Sequence, residues 1–153
     1  MKHAMLLIMA LAVVVGGCAP KQSDAPKTGA AMSPIIEPYL KIQTALTRNS
    51  VDGVKTNAGQ IATVAAALGP PAVKIDAAAV QLASAANLTE AREKFGTLSD
   101  AIVAYMDGSR LPAPEGVRIA YCPMVQKPWL QQGSEIANPY YGTQMLSCGS
   151  FRQ

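Results

Sequence analysis

Four sulfur-bearing side chains stand in two short pairs near the C-terminus, Cys122 with Met124 and Met145 with Cys148. Thiolates and thioethers are soft donors, and together they suit Cu(I) or Ag(I) better than zinc, nickel or non-haem iron. On an extended piece Cys122 and Met124 share a face, because alternate residues point to one side. Met145 and Cys148 are three positions apart, the spacing that brings side chains together on a helical turn. Between the pairs lie Trp129, the only tryptophan, and the adjacent Tyr140 and Tyr141. These rings either cover a metal or form a docking patch, or they close one end of the core, the commoner use of aromatics.

The same two cysteines support a second chemistry. In an oxidising compartment Cys122 and Cys148 would pair as a disulfide. Chain entropy values the loop so closed at about 3.5 kcal/mol. Met124 and Met145 would then be fillers beside aromatic rings. Both readings stand at this level.

A third cysteine, Cys18, belongs to the N-terminus. Met1-Lys2-His3 precedes an apolar run from Ala4 to Val15 that ends in Gly16-Gly17-Cys18. A short basic start, a brief apolar stretch and small residues describe an export signal, too short to span a bilayer as a mature helix. Val15-Gly16-Gly17-Cys18 resembles a bacterial lipobox. That resemblance implies removal of residues 1–17, lipidation of Cys18, and a chain tethered to the membrane by its acyl groups. Ala19 after the cysteine favours the outer membrane, facing the periplasm, by the same resemblance.

Removing residues 1–17 takes away Lys2, one of 13 basic side chains, and His3, the only histidine. Without imidazole there is no Ser-His-Asp or Cys-His nucleophile system and no histidine-containing zinc or iron site. Hydroxyls and carboxylates are single and scattered, so no enzyme is expected. The charge is close to balanced and no basic run offers a footprint for nucleic acid.

The run Tyr121-Cys122-Pro123-Met124, then Trp129-Leu130, then Ile136-Ala137-Asn138-Pro139-Tyr140-Tyr141-Gly142, then Met145-Leu146-x-Cys148-Gly149 resembles the C-terminal signature of an uncharacterised bacterial periplasmic domain family. Its members occur as exported proteins and lipoproteins and fused to adaptors of heavy-metal efflux pumps. The resemblance covers residues 33–150. It implies a helical bundle with a heavy-metal association, and an envelope protein or efflux component as partner. Tyr-Cys-Pro-Met also resembles a metal-binding segment of copper and silver efflux adaptors, with Val125-Gln126 where a histidine normally follows.

The elements that would carry these residues read as helices. After a polar tether over 18–32, Ile35, Tyr39, Ile42 and Leu46 mark one helical face, starting no earlier than Ile35 because Pro38 is tolerable only in a first turn. Ser50 is a candidate N-cap for a second helix bearing Val54, Ala58, Ile61, Ala65 and Leu68, stopped by Gly69-Pro70-Pro71. A third runs from about Ala72 to Ala86, with Ile75, Ala79, Leu82 and Ala86 on one face. Asn87 with Glu90 resembles a capping box opening a fourth, with Leu88, Ala91, Phe95, Leu98, Ile102 and Tyr105 inward. The spacing predicts an all-α fold: an up-and-down four-helix bundle over 33–108. An irregular tail over 109–153 would pack on it, with a short extended piece at Val117 to Tyr121 and a short helix around Trp129 to Ile136. Five of the eight aromatic residues fall in this tail.

Overall fold

The first helix, α1 (Thr28–Thr47), presents Met32, Ile35, Ile36, Tyr39, Ile42 and Leu46 to the core. This computed structural model describes residues 28–153, with side chains from Met32 onward. The expected signal segment 1–17, Cys18 and most of the expected tether lie outside the described residues. The helix begins at Thr28, inside the stretch read as tether and upstream of Ile35, and it holds both Pro34 and Pro38. Each proline removes a main-chain donor and crowds the carbonyl four residues back. Met32, 2% exposed, extends the apolar face by a further turn and offsets that cost.

The remaining helices follow their apolar rhythm closely. Helix α2 (Val54–Leu68) buries Val54, Ala58, Ile61 and Ala65, and α3 (Val73–Ala83) buries Ile75, Ala79 and Leu82 but stops short of Ala86, which is exposed beyond its end. Gly69 ends α2 at φ 74, and Pro70–Ala72 form a 3-10 turn into α3. Ser50 is not the cap of α2. Its hydroxyl accepts from the Asp52 N–H, and Gly53 occupies the cap position. In α4 (Leu88–Gly108), Asn87 Oδ1 accepts from the Glu90 N–H at 3.0 Å. The Glu90 carboxylate reaches past the cap to the Ala86 N–H at 3.2 Å. Leu68 is exposed and Tyr105 half-buried, so the inward faces end one position earlier and turn toward Met106 respectively.

The tail overturns the all-α expectation. Val117–Cys122 (β1), Lys127–Gln132 (β2) and Ser150–Phe151 (β3) form an antiparallel sheet in the order β2-β1-β3. The helix expected around Trp129 is therefore strand β2 followed by a loop. Consecutive helices pack against each other; α1 and α4 meet where Tyr39 touches Phe95 and Ser99, and β2 packs on both helices beside that contact, where a closed bundle would extend it. The protein is thus an open four-helix layer completed by a small sheet.

Strand β2 is an edge strand carrying Pro128, the position in a sheet where a missing N–H costs least. Its outward polar groups are met by tyrosine hydroxyls: the Leu130 N–H donates to Tyr39 Oη at 3.1 Å, and Tyr140 Oη donates to the Pro128 carbonyl. Tyr39 also hydrogen-bonds Ser99 Oγ at 2.6 Å and stacks on Phe95 with centroids 4.8 Å apart. Two side chains thus take the place of a further strand, covering an edge that would otherwise be a template for association.

Candidate functional site

Cys122 ends β1 with its side chain fully buried. The register Tyr121↔Ser150 carries the chain entering β3 past the end of β1, which brings Gly149 and Cys148 alongside Cys122. Gly149 permits the approach. Its φ is +139, and a Cβ there would lie 2.6 Å from Trp129 Cη2 and 2.9 Å from the Tyr121 carbonyl oxygen. Both cysteines are free thiols, Cys148 partly exposed. Burial pushes the Cys148 thiol above its ordinary pKa, and the charge and hydrogen bonding of neighbouring Cys122 push it further.

Asn138, fully buried, joins the two cysteines. Its Nδ2 donates to Cys122 Sγ at 3.2 Å and to the Cys148 carbonyl at 2.6 Å. Its Oδ1 accepts from the Tyr140 N–H at 2.7 Å, the side-chain turn by which asparagine mimics a main-chain bond. Two further amides order the approach to Asn138. Gln131 Oε1 accepts from Trp129 Nε1 at 2.9 Å and from the Ala137 N–H at 3.0 Å, while its Nε2 donates to the Glu135 carbonyl. From α1, Gln43 Nε2 donates to the Ala137 carbonyl at 2.8 Å. On the other side Arg92 of α4 donates to the Pro139 and Leu46 carbonyls and to Asn49 Oδ1. Gly142 fits beneath that cluster because a Cβ would come within 2.3 Å of Arg92 Nη2.

Trp129 and Tyr140 face the core, while Tyr141 lies at its margin. Trp129 is fully buried and meets Tyr140 edge-on with centroids 6.0 Å apart, and Tyr140 is 7% exposed. Burial is also the main reason the Tyr140 phenol titrates far above its usual value. Tyr141 is half-buried and lines, with Arg92, Gly96, Val125, Lys127 and Tyr140, a cleft of about 420 Å³ between α4 and the tail.

The four sulfurs divide into two classes. Cys122 and Cys148 come together inside the sheet end. Met124 is 61% exposed in the turn after β1, and Met145 is 39% exposed at the start of a turn closed by the Cys148 N–H on the Met145 carbonyl at 3.0 Å. Cys122 and Met124 differ because the chain leaves the extended conformation directly after Cys122, so alternation no longer applies. Both methionines nevertheless occupy the turns that flank the thiols. Among the described residues no group of three or more His, Cys, Asp or Glu side chains gathers, and no helix is long and apolar enough to cross a membrane.

The chain matches no family model, and neither a curated protein nor a solved structure matches it. The reading of the site therefore rests on its own residues. Asn138 shows itself in the sequence only as a turn opener before Pro139; its bond to sulfur has no local signal. The Gln43 amide, the Arg92 guanidinium and the Tyr39 hydroxyl carry none either, since each acts on residues distant along the chain, and Gln131 bonds Trp129, Glu135 and Ala137 through a loop with no periodic pattern.

Proposed function

We propose that this protein is a non-enzymatic module of the bacterial cell envelope that binds a soft monovalent ion, Cu(I) or Ag(I), and serves heavy-metal handling or efflux. The observation that carries the reading is the pairing of Cys122 and Cys148 at the sheet end, with Met124 and Met145 in the adjoining turns. Two thiolates suit a soft cation, and the thioethers add neutral soft donors at the surface. Each thiol must lose its proton to bind, so uptake releases protons and strengthens as pH rises. Lipidation at Cys18 would hold the module at the membrane, the outer one in this proposal, and place it beside an envelope partner or efflux component.

Titration of the reduced chain with Cu(I) against a chromogenic chelator tests the reading. A single tight site lost in Cys122→Ser and Cys148→Ser supports it. Copper left entirely on the chelator, even at high pH, overturns it. Fatty-acid labelling of cells, abolished in Cys18→Ala, tests the anchor.

The closeness of the same two thiols, with Cys122 wholly enclosed, favours a second reading: a structural or interaction module whose tail is closed by a Cys122–Cys148 disulfide. A thiol count on protein taken directly from the envelope separates the two, two free thiols supporting the metal site and none supporting the disulfide.

A further inference from the structure

We propose that Asn138 is the positioning residue of the sulfur site, an inference that rests on the soft-metal reading above. The direction of its amide follows from its neighbours. Oδ1 accepts from the main-chain N–H of Tyr140 at 2.7 Å and of Tyr141 at 3.4 Å, so the NH2 group must face the other way. Its two hydrogens are then both directed at the site, one at Cys122 Sγ, 3.2 Å away, the other at the Cys148 carbonyl, 2.6 Å away. One planar group therefore holds the sulfur of the first ligand and the backbone that bears the second. Its main chain completes the frame. The Asn138 N–H donates to the Leu146 carbonyl at 2.7 Å, and its carbonyl accepts from the Gly142 N–H at 3.1 Å, tying down the segment that leads into Met145 and Cys148.

Shaping the Asn138-Pro139 turn requires Oδ1 alone. The N–H···S bond is an additional feature, and it does work that a turn residue does not. When a metal displaces the thiol proton, the sulfur gains negative charge in a fully buried position, and a fixed N–H beside it stabilises that charge. Outer partners of this kind typically govern metal affinity by about 10- to 100-fold.

Asn138→Asp separates the two roles, because it retains the acceptor oxygen and the shape but replaces the donor with a carboxylate oxygen facing Cys122 Sγ. In the full chain carrying Cys18→Ser, the variant is expected to keep the helical circular dichroism of the parent. It should bind Cu(I) about 10- to 100-fold more weakly, with a shifted ultraviolet sulfur-to-copper absorption. Affinity within twofold of the parent and an unshifted band overturn the proposal. Should the variant fail to fold, the parent answers alone: on Cu(I) addition the Asn138 side-chain amide protons must move in the NMR spectrum, and unmoved amide protons with moved cysteine resonances overturn the role. A parent chain that takes up no Cu(I) overturns the metal reading but still leaves a measure of Asn138. Glutathione disulfide oxidises the two thiols to one S–S bond and is itself reduced to two thiols, and that equilibrium constant should fall in Asn138→Asp. Equal constants overturn the positioning role.

Discussion

Tyr39→Phe removes one oxygen from the centre of the protein and tests how the sheet edge is finished. Tyr39, Ser99 and Leu130 all have 0% exposure. The hydroxyl accepts from the Leu130 N–H at 3.1 Å and shares a hydrogen with Ser99 Oγ at 2.6 Å, while the ring stacks on Phe95. Phenylalanine preserves the stack and the volume but leaves the Leu130 N–H in a dry site without an acceptor. A buried polar group so orphaned costs about 1–3 kcal/mol. Ser99 can turn its hydroxyl to a carbonyl of its own helix, which limits the second loss. The expected destabilisation is therefore about 2–3 kcal/mol, the upper part of the range for a single orphan. For a domain of this length that lowers Tm by roughly 10 °C. Urea unfolding should show a lower midpoint at unchanged m-value, since the surface exposed on unfolding is the same. Ser99→Ala combined with Tyr39→Phe should cost less than the two separately, because the variants share one bond. A loss below about 0.5 kcal/mol, the scale of an ordinary surface change, would refute the account of the edge.

The buried phenols also predict alkaline behaviour. Tyr39 and Tyr140 titrate well above 10.0, chiefly through burial, so their contribution to stability is complete below about that pH and is lost as pH rises toward the folded-state values. Urea midpoints should stay level across neutral pH and fall beyond pH 10, with tyrosinate absorbance appearing only on unfolding; early, unfolding-independent tyrosinate from these two residues would contradict their burial. Gly149→Ala places a methyl 2.6 Å from Trp129 Cη2 at φ +139, and it should cost at least about 2 kcal/mol and alter tryptophan fluorescence. Met124→Leu and Met145→Leu change exposed side chains and should leave stability within about 0.5 kcal/mol of the parent. Their Cu(I) affinity then reports directly on the surface donors, and unaltered affinity in the double variant would confine the site to the two thiols.

The helices were legible because their burial repeats locally: Ile35, Tyr39, Ile42 and Leu46, or Ala91, Phe95, Leu98 and Ile102, recur at helical spacing, and each is buried. The start of α1 was not, because Pro34 and Pro38 speak against a helix while the benefit of burying Met32 comes from elsewhere in the fold. Of the sheet, β1 was legible as the extended piece expected at Val117 to Tyr121, but its partners were hidden for a similar reason. Strand β2 has Pro128 at its second position and three successive buried residues, Trp129, Leu130 and Gln131. Such a run suits either a helix or an enclosed strand. The register between Tyr121 and Ser150, which unites the cysteines, spans a segment with no periodic pattern. Spacing therefore identified the sulfurs, but their separation into an inner pair and an outer pair depended on where the chain turns after Cys122.

That separation gives the sheet end its energetic character. Residues 133–149 place Tyr140 in the core and are otherwise tied down by hydrogen bonds, those of the Gln43, Gln131 and Asn138 amides, of Arg92 and of their own main chain, while Met124, Leu146 and Tyr121 remain exposed around them. A link between Cys122 and Cys148 would therefore act on a weakly cored segment, and either chemistry should raise stability by a similar amount. The disulfide contributes about 3.5 kcal/mol by chain entropy, and an ion at a thousand times its Kd contributes about 4 kcal/mol. Size alone does not separate them, but dependence on concentration does. A coordinated ion adds about 1.4 kcal/mol for every tenfold rise in free Cu(I) above Kd. The disulfide adds a fixed amount that ignores copper and vanishes with reductant. Unfolding free energies across a series of buffered Cu(I) concentrations, with and without a non-coordinating reductant, thus assign the chemistry of this pair by slope.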